Sequence, residues 1–259
     1  MATDTLDLQS KVAIITGSGK ETGIGATIAS TLARNGSLVA INHISEASAP
    51  RAAAVAQAIC QAGGKAIVVQ ADVSTAEGAQ YLVSQTLEKL QVDHIDILVN
   101  NAAGGAPHGV LQATRDSIDE IFSTIVYAPI FILQAAIPHM PRGGRIINIG
   151  SVASKLGMAP IAIYGAAKAA QDALTYSMAM ELGRSHGVTV NTVAPGPVST
   201  EALPKEQAEA IDRAMLPMTR AEERVGTTQD IADAVLLLVS EKSRWVTGQF
   251  ISASGGVVG

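Results

Sequence analysis

Apolar and polar positions in this chain follow two alternating periods. Short apolar, mostly β-branched runs recur at 12–16 (VAIIT), 38–42 (LVAIN), 66–70 (AIVVQ), 95–99 (IDILV), 145–149 (RIINI), 188–193 (VTVNTV) and 249–252 (QFIS). They are apolar on both faces, as strands covered from both sides must be. Between them lie longer alanine-rich segments with helical spacing, long enough to serve as crossover connections. The pattern predicts a parallel sheet with helices on both faces, a doubly wound α/β sandwich. No proline- or serine-rich linker interrupts it and no solenoid repeat is present, so residues 1–259 read as a single domain.

Two segments stand out from the rhythm. Residues 117–140 are apolar almost all round, which predicts a buried helix. Residues 201–224 (EALPKEQAEAIDRAMLPMTRAEER) place Leu203, Met215, Leu216 and Met218 among charges, just after a strand end. An insertion there is a candidate substrate lid.

Composition narrows the function classes. Of 259 residues, 47% are apolar and only 16% charged, which excludes disorder and implies extensive burial. The net charge of −5 provides no basic stripe for nucleic acid or an anionic membrane. With Cys60 as the one cysteine, neither an intrachain disulfide nor a cysteine metal cluster can form, and no metal site is expected. The opening MATDTLDLQS lacks a basic region and an apolar core, so a cytoplasmic protein is expected.

The candidate chemistry lies at strand ends, where open α/β sheets bind ligands. The first strand runs into TGSGKETGIG (16–25), whose glycines would let backbone approach a pyrophosphate at a helix N-terminus. The spacing fits neither G-x-G-x-x-G nor the P-loop. The second strand ends in Asn42, His43 and Ser45, without the acidic residue that would hold an adenosine ribose. With Lys20 nearby, this favours NADP(H) over NAD(H), although Glu21 and Glu46 pull the other way. Asp72 ends the third strand and could accept from an adenine amino group; Asn100 and Asn101 end the fourth. Thr200, after the sixth, could bond a carboxamide. His108 and His139 have no evident catalytic partner.

Ser151, Tyr164 and Lys168 complete the set. Tyr164 and Lys168 share a helix face at i and i+4. A phenol titrates near 10 by itself, and an adjacent ammonium is expected to lower it. A hydroxyl at Ser151, just past a strand, could hydrogen-bond a substrate oxygen.

Taken together, Thr16-Gly17…Gly23-Ile24-Gly25, Asp72-Val73, Asn100-Asn101-Ala102, Ser151, Tyr164-x-x-x-Lys168, Pro195-Gly196 and Gly255-Gly256 make the chain resemble the short-chain dehydrogenase/reductase family from about Lys11 to Gly256. The resemblance implies a seven-stranded parallel sheet of Rossmann type and a homodimer or homotetramer. It implies Tyr164 as general acid/base, Ser151 orienting the substrate oxygen, and Lys168 holding the nicotinamide ribose and lowering the Tyr164 pKa. Cofactor contacts would come from Gly17, Lys20, Ile24, Asn42, His43, Asp72, Val73, Asn100, Tyr164, Lys168, Val198 and Thr200.

The expected activity is NADP(H)-dependent reduction of a carbonyl, or oxidation of the alcohol, on a medium-sized apolar metabolite. A non-redox isomerase, dehydratase or cyclase with the cofactor as structural ligand is the alternative. The chain departs from the family in three places. The glycine loop has five residues between Gly17 and Gly23, where the family usually has three. Ser254 stands where an aspartate is common. The family's fourth catalytic residue, an asparagine, falls at Ile125, or at Thr124 if the register slips by one. Thr124, a backbone carbonyl or waters would then complete the proton relay.

Overall fold

The computed structural model describes residues 6–105, 108–200 and 205–258. Its strands are β1 Val12–Ile15, β2 Leu38–His43, β3 Lys65–Gln70, β4 Ile97–Asn100, β5 Arg145–Ile149, β6 Thr189–Pro195 and β7 Phe250–Ala253. Each of the seven apolar runs forms one of them. All pair in parallel, in the order β3-β2-β1-β4-β5-β6-β7. The order reverses between β1 and β4, and this opens a crevice at their C-terminal ends. The edges differ from the sequence reading at β4, which starts two residues later, and at β6, which runs on to Pro195.

The helices are α1 Ile24–Arg34, α2 Ala49–Gln61, α3 Ala76–Leu90, α4 Arg115–Phe122, α5 Ala128–Ala136, α6 Ala153–Leu156, α7 Ala162–His186, α8 Lys205–Met215 and α9 Thr228–Val239. Alternate strand residues face opposite layers. Ile15, Val39, Ile41, Val99 and Ile147 pack with α1, α2 and α9, while Ile14, Leu98, Ile146 and Val190 pack with α3, α5 and α7. Each fully buried Ile or Leu contributes about 1.5–3 kcal/mol by removal from water. The β1 residues Ile14 and Ile15 are wholly inaccessible and anchor one layer each.

The segment predicted as one buried helix is corrected in two respects. α4 runs into a π-turn, Ser123–Tyr127, and on into α5. Only one side of the run is covered: Ile121, Ile125, Ala128, Ile132 and Ala136 are buried, while Tyr127 is exposed. The 25-residue run Arg115–His139 is long and apolar enough to cross a membrane by length and composition alone. In this fold it packs laterally against α3 and α7. Tyr176 and Met180 on α7 are also exposed, as is Trp245, the single tryptophan, at 96%.

Within 201–224, Glu201 to Pro204, including Leu203, lie outside the described residues. The remainder forms α8 and a 3-10 turn, Leu216–Met218. Ile211, Met215 and Met218 pack on Val152 and Leu156, just beyond Ser151, and on Val257 and Val258 near the C-terminus. The expected lid therefore adjoins the residues that follow Ser151. Ser254 closes the terminal turn, its Oγ accepting from the N–H groups of Val257 (3.1 Å) and Val258 (3.4 Å), a bond pattern an aspartate could also make.

Candidate active site

The floor of the crevice is the β1–α1 loop. Gly17 adopts φ +61°, and a Cβ there would stand 2.8 Å from the Ala102 Cα, so a side chain is excluded twice over. Gly25 is held against Asn101, whose Nδ2 lies 2.5 Å from where a Cβ would sit. Asn101 Nδ2 donates to the carbonyls of Thr16 (2.9 Å) and Gly17 (3.0 Å), and Thr16 Oγ1 accepts from the N–H groups of Asn101 and Ala102, each at 3.0 Å. These bonds tie the ends of β1 and β4 together. α1 begins at Ile24 after Gly23, which offers no side-chain cap. Its first N–H groups therefore face the loop mouth, where a phosphate is favoured. A glycine cradle that tolerates no Cβ beside an uncapped helix start fits a dinucleotide.

The two extra loop residues form a compact turn, closed by the Gly23 N–H donating to the Lys20 carbonyl at 2.8 Å. Glu21 is fixed by the Arg51 guanidinium at the start of α2, Nε to Oε2 2.7 Å. That bond holds the Glu21 carboxyl below the usual carboxylate range.

The end of β2 differs from its sequence reading. Asn42 is buried: its Oδ1 accepts from the Gly17 N–H (3.1 Å) and its Nδ2 donates to the Ala71 carbonyl (3.1 Å). His43 is buried too, its Nδ1 within bonding distance of the Ser45 carbonyl (3.1 Å) and the Ser48 hydroxyl (3.2 Å). Both side chains hold the loops around the end of β2. Arg51, absent from the sequence expectations, stands at this corner paired with Glu21. Its signal was a lone arginine at the start of an alanine-rich helix, opposite an extended glycine loop.

Asp72 is exposed, with Oδ1 accepting from the Ser74 N–H (3.0 Å) and hydroxyl (2.6 Å), while the Val73 side chain is buried. Asn100 is buried and donates to Asn148 Oδ1 at 2.7 Å, so its amide braces β4 against β5. Val198 forms a parallel bridge with Gly226, and Thr200 is half-buried two residues on.

The other end of the crevice brings Ser151, Tyr164 and Lys168 together. β5 ends at Ile149, and Ser151 Oγ accepts from the Ala153 N–H at 3.1 Å. α7 carries Tyr164 in its first turn and Lys168 one turn later. Burial pushes the Tyr164 phenol above its ordinary value, and the Ser151 hydroxyl works in the opposite direction. The expected lowering by Lys168 is not observed. The ammonium lies 5.8 Å from the Tyr164 ring centroid and donates elsewhere: to the Ile149 carbonyl (2.6 Å) and to Gln171 Oε1 (3.2 Å).

Lys168 is 2% exposed, and burial lowers its pKa to about 8, with the Asp172 carboxylate working to keep it charged. Asp172 is itself pushed up by burial, against Ser154, Lys155 and Lys168. Lys155 approaches it to 3.8 Å. Among the described residues no group of three or more His, Cys, Asp or Glu side chains could hold a metal.

Known proteins resemble this chain along nearly its whole length. A family model described as Enoyl-(Acyl carrier protein) reductase matches residues 17–258. The chain is 40% identical over 257 residues to the short-chain dehydrogenase/reductase FrzI of Cladobotryum sp., covering 97% of each chain. It is 36% identical to the 7alpha-hydroxysteroid dehydrogenase of Escherichia coli K12, covering 98% of this chain and 97% of that one. Among solved structures, the angucycline C-6 ketoreductase LanV with bound NADP superposes with a TM-score of 0.88 at 34% identity, over 97% of this chain and 96% of that one. From the sheet order, the cradle and these matches along nearly its whole length, the chain belongs to the short-chain dehydrogenase/reductase family.

Proposed function

We propose that the protein is an NADP(H)-dependent oxidoreductase that interconverts a carbonyl and an alcohol on a medium-sized apolar metabolite. The observation that carries this reading is the convergence of Ser151, Tyr164 and Lys168 at the end of β5, beside the glycine cradle. Relatives named as dehydrogenases and reductases, and a ketoreductase neighbour holding NADP, support it.

The cofactor, when bound, supplies or accepts the hydride. Gly17 and the start of α1 at Ile24 would face its pyrophosphate, and Lys20 and Arg51 are the cations at its adenosine end. Lys168 and Thr200 would face the nicotinamide half. Tyr164 works as the general acid. Its phenol would donate a proton to the carbonyl oxygen in reduction and take one from the alcohol in oxidation. Ser151 hydrogen-bonds the same oxygen and stabilises charge developing on it. Lys168, charged below about 8, would hold the nicotinamide ribose beside them.

The apolar side of α8 packs on Val152 and Leu156, just beyond Ser151, which suits an apolar substrate. The exposed Tyr127, Tyr176 and Met180 on neighbouring helices supply a face for a second copy in a homodimer or homotetramer. The test is NADPH oxidation against a panel of cyclic and polycyclic ketones, with wild type and Tyr164→Phe. Equal turnover by both would remove Tyr164 from its role. A marked preference for NADH would remove the cofactor assignment.

A further inference from the structure

Neither residue at the position of the family's asparagine supports Lys168 with its side chain. Ile125 is wholly buried in an apolar cluster with Ile121 and Ala167. The Thr124 hydroxyl donates to its own helix, to the Glu120 carbonyl at 3.2 Å. A polar group nevertheless reaches the lysine from α7 itself. Gln171, three residues after Lys168 and 1% exposed, accepts from Lys168 Nζ at 3.2 Å through Oε1 and donates to the Ile125 carbonyl at 3.2 Å through Nε2.

The orientation of this amide is forced. An ammonium can only donate and a carbonyl can only accept, so Oε1 must face Lys168 and Nε2 must face Ile125. The Ile125 carbonyl lies in the π-turn Ser123–Tyr127, the interruption between α4 and α5 at which a side chain can enter the helix ladder. The Gln171 backbone is tied down as well. Its carbonyl accepts from Thr175 Oγ1 (3.0 Å), which in turn accepts from Asn148 Nδ2 (2.8 Å), and Asn148 is the partner of Asn100.

We propose that Gln171 is the positioning residue for Lys168, bridging its ammonium to the π-turn carbonyl of Ile125 and so fixing where the remaining N–H points. The consequence for catalysis rests on the reading of Ser151, Tyr164 and Lys168 as a proton-transfer site; the bridge itself does not. Two of the three ammonium hydrogens are held by rigid acceptors, the Ile149 carbonyl and the Gln171 amide. The lysine is thereby kept from collapsing onto Asp172, the carboxylate one turn along the same helix face. The ionisable groups around it are Tyr164 and Asp172 on α7, and Lys155, which reaches Asp172 from α6.

The experiment is a titration of the full-length protein by 13Cε NMR of labelled lysines, with Lys168 assigned by its absence in Lys168→Arg. Gln171→Met keeps the shape and removes both hydrogen bonds. It lowers the Lys168 midpoint by about one pH unit, because an acceptor that favours the charged form is lost. Gln171→Glu puts a carboxylate against the ammonium and raises the midpoint by about one unit or more.

In turnover with a ketone, the alkaline limb of the pH profile moves in the same two directions. Gln171→Met loses about tenfold in kcat, with KM for the ketone within about twofold. Midpoints unchanged in both variants, or shifted in the same direction, overturn the proposal. If Gln171→Met does not fold, the upward shift in Gln171→Glu decides alone: its presence supports the bridge and its absence overturns it. Failure of the reductase reading would look different, with Tyr164→Phe as active as wild type while the Lys168 midpoints still separate.

Discussion

The two ends of the crevice hold their charges in opposite ways. At the substrate end, Lys168, Gln171 and Asn148 are all but inaccessible, and each is bonded to backbone or to another buried amide. At the other end, by the glycine loop, the charges of Glu21 and Arg51 meet at 2.7 Å with their side chains about two-fifths exposed. A buried polar group that loses its partner forfeits its desolvation as well as the bond, whereas an exposed ion pair competes with water and contributes little. Substitutions at the first end should therefore disable or reshape catalysis. Those at the second should retune cofactor choice and leave the fold unmoved.

The largest effect expected is from Tyr164→Phe. It should lower kcat for ketone reduction by about a thousandfold, within the range for loss of a general acid, with an unchanged melting curve. Next is Asp172→Asn. Lys168 carries its charge below about 8 and loses it as the pH rises through that value. Removing the carboxylate that keeps it charged should move the loss about one unit lower. At pH 8, kcat/KM should then fall about fivefold, with a rate near that of wild type at pH 6. A profile that keeps its alkaline limb in place would mean that Asp172 does not communicate with the site.

Smaller effects are expected at the adenosine end. Arg51→Ala should raise KM for NADPH about tenfold and leave KM for NADH unchanged, as measured in parallel titrations. Smallest is Glu21→Gln, which releases Arg51 from its carboxylate and should lower KM for NADPH by about two- to threefold, with no change in melting temperature beyond about 1 °C. If Glu21→Gln instead destabilised the protein markedly, the contrast between the two ends would be lost.

The strands and the catalytic spacing were legible because both are local. A β-branched run is apolar on its own account, and Tyr164 lies one helical turn from Lys168 wherever α7 packs. The packing around the end of β2 was not legible. Asn42 and His43 end a strand as ligand-binding residues do, and the chain also brings Gly17, Ala71, Ser45 and Ser48 round to bond them. Whether a polar side chain at a strand end faces solvent or its neighbours is a tertiary outcome. Arg51 was missed for the same reason, since its partner lies 30 residues away. Gln171 was within reach of the sequence: it stands three residues after Lys168, on the same helix face, amid small residues. The π-turn that supplies its other partner left no such mark, because Ser123–Tyr127 reads as ordinary helix.

Trp245 has a consequence for how this protein can be observed. It is the only tryptophan in the chain, and at 96% exposure its indole is already surrounded by solvent. Its emission in the native state therefore resembles that of the denatured chain, so an unfolding curve followed by tryptophan fluorescence would be nearly flat while circular dichroism records the full transition. The same indole becomes a sensitive reporter once another surface covers it, and a blue shift that grows with protein concentration would register contact at that edge of the molecule.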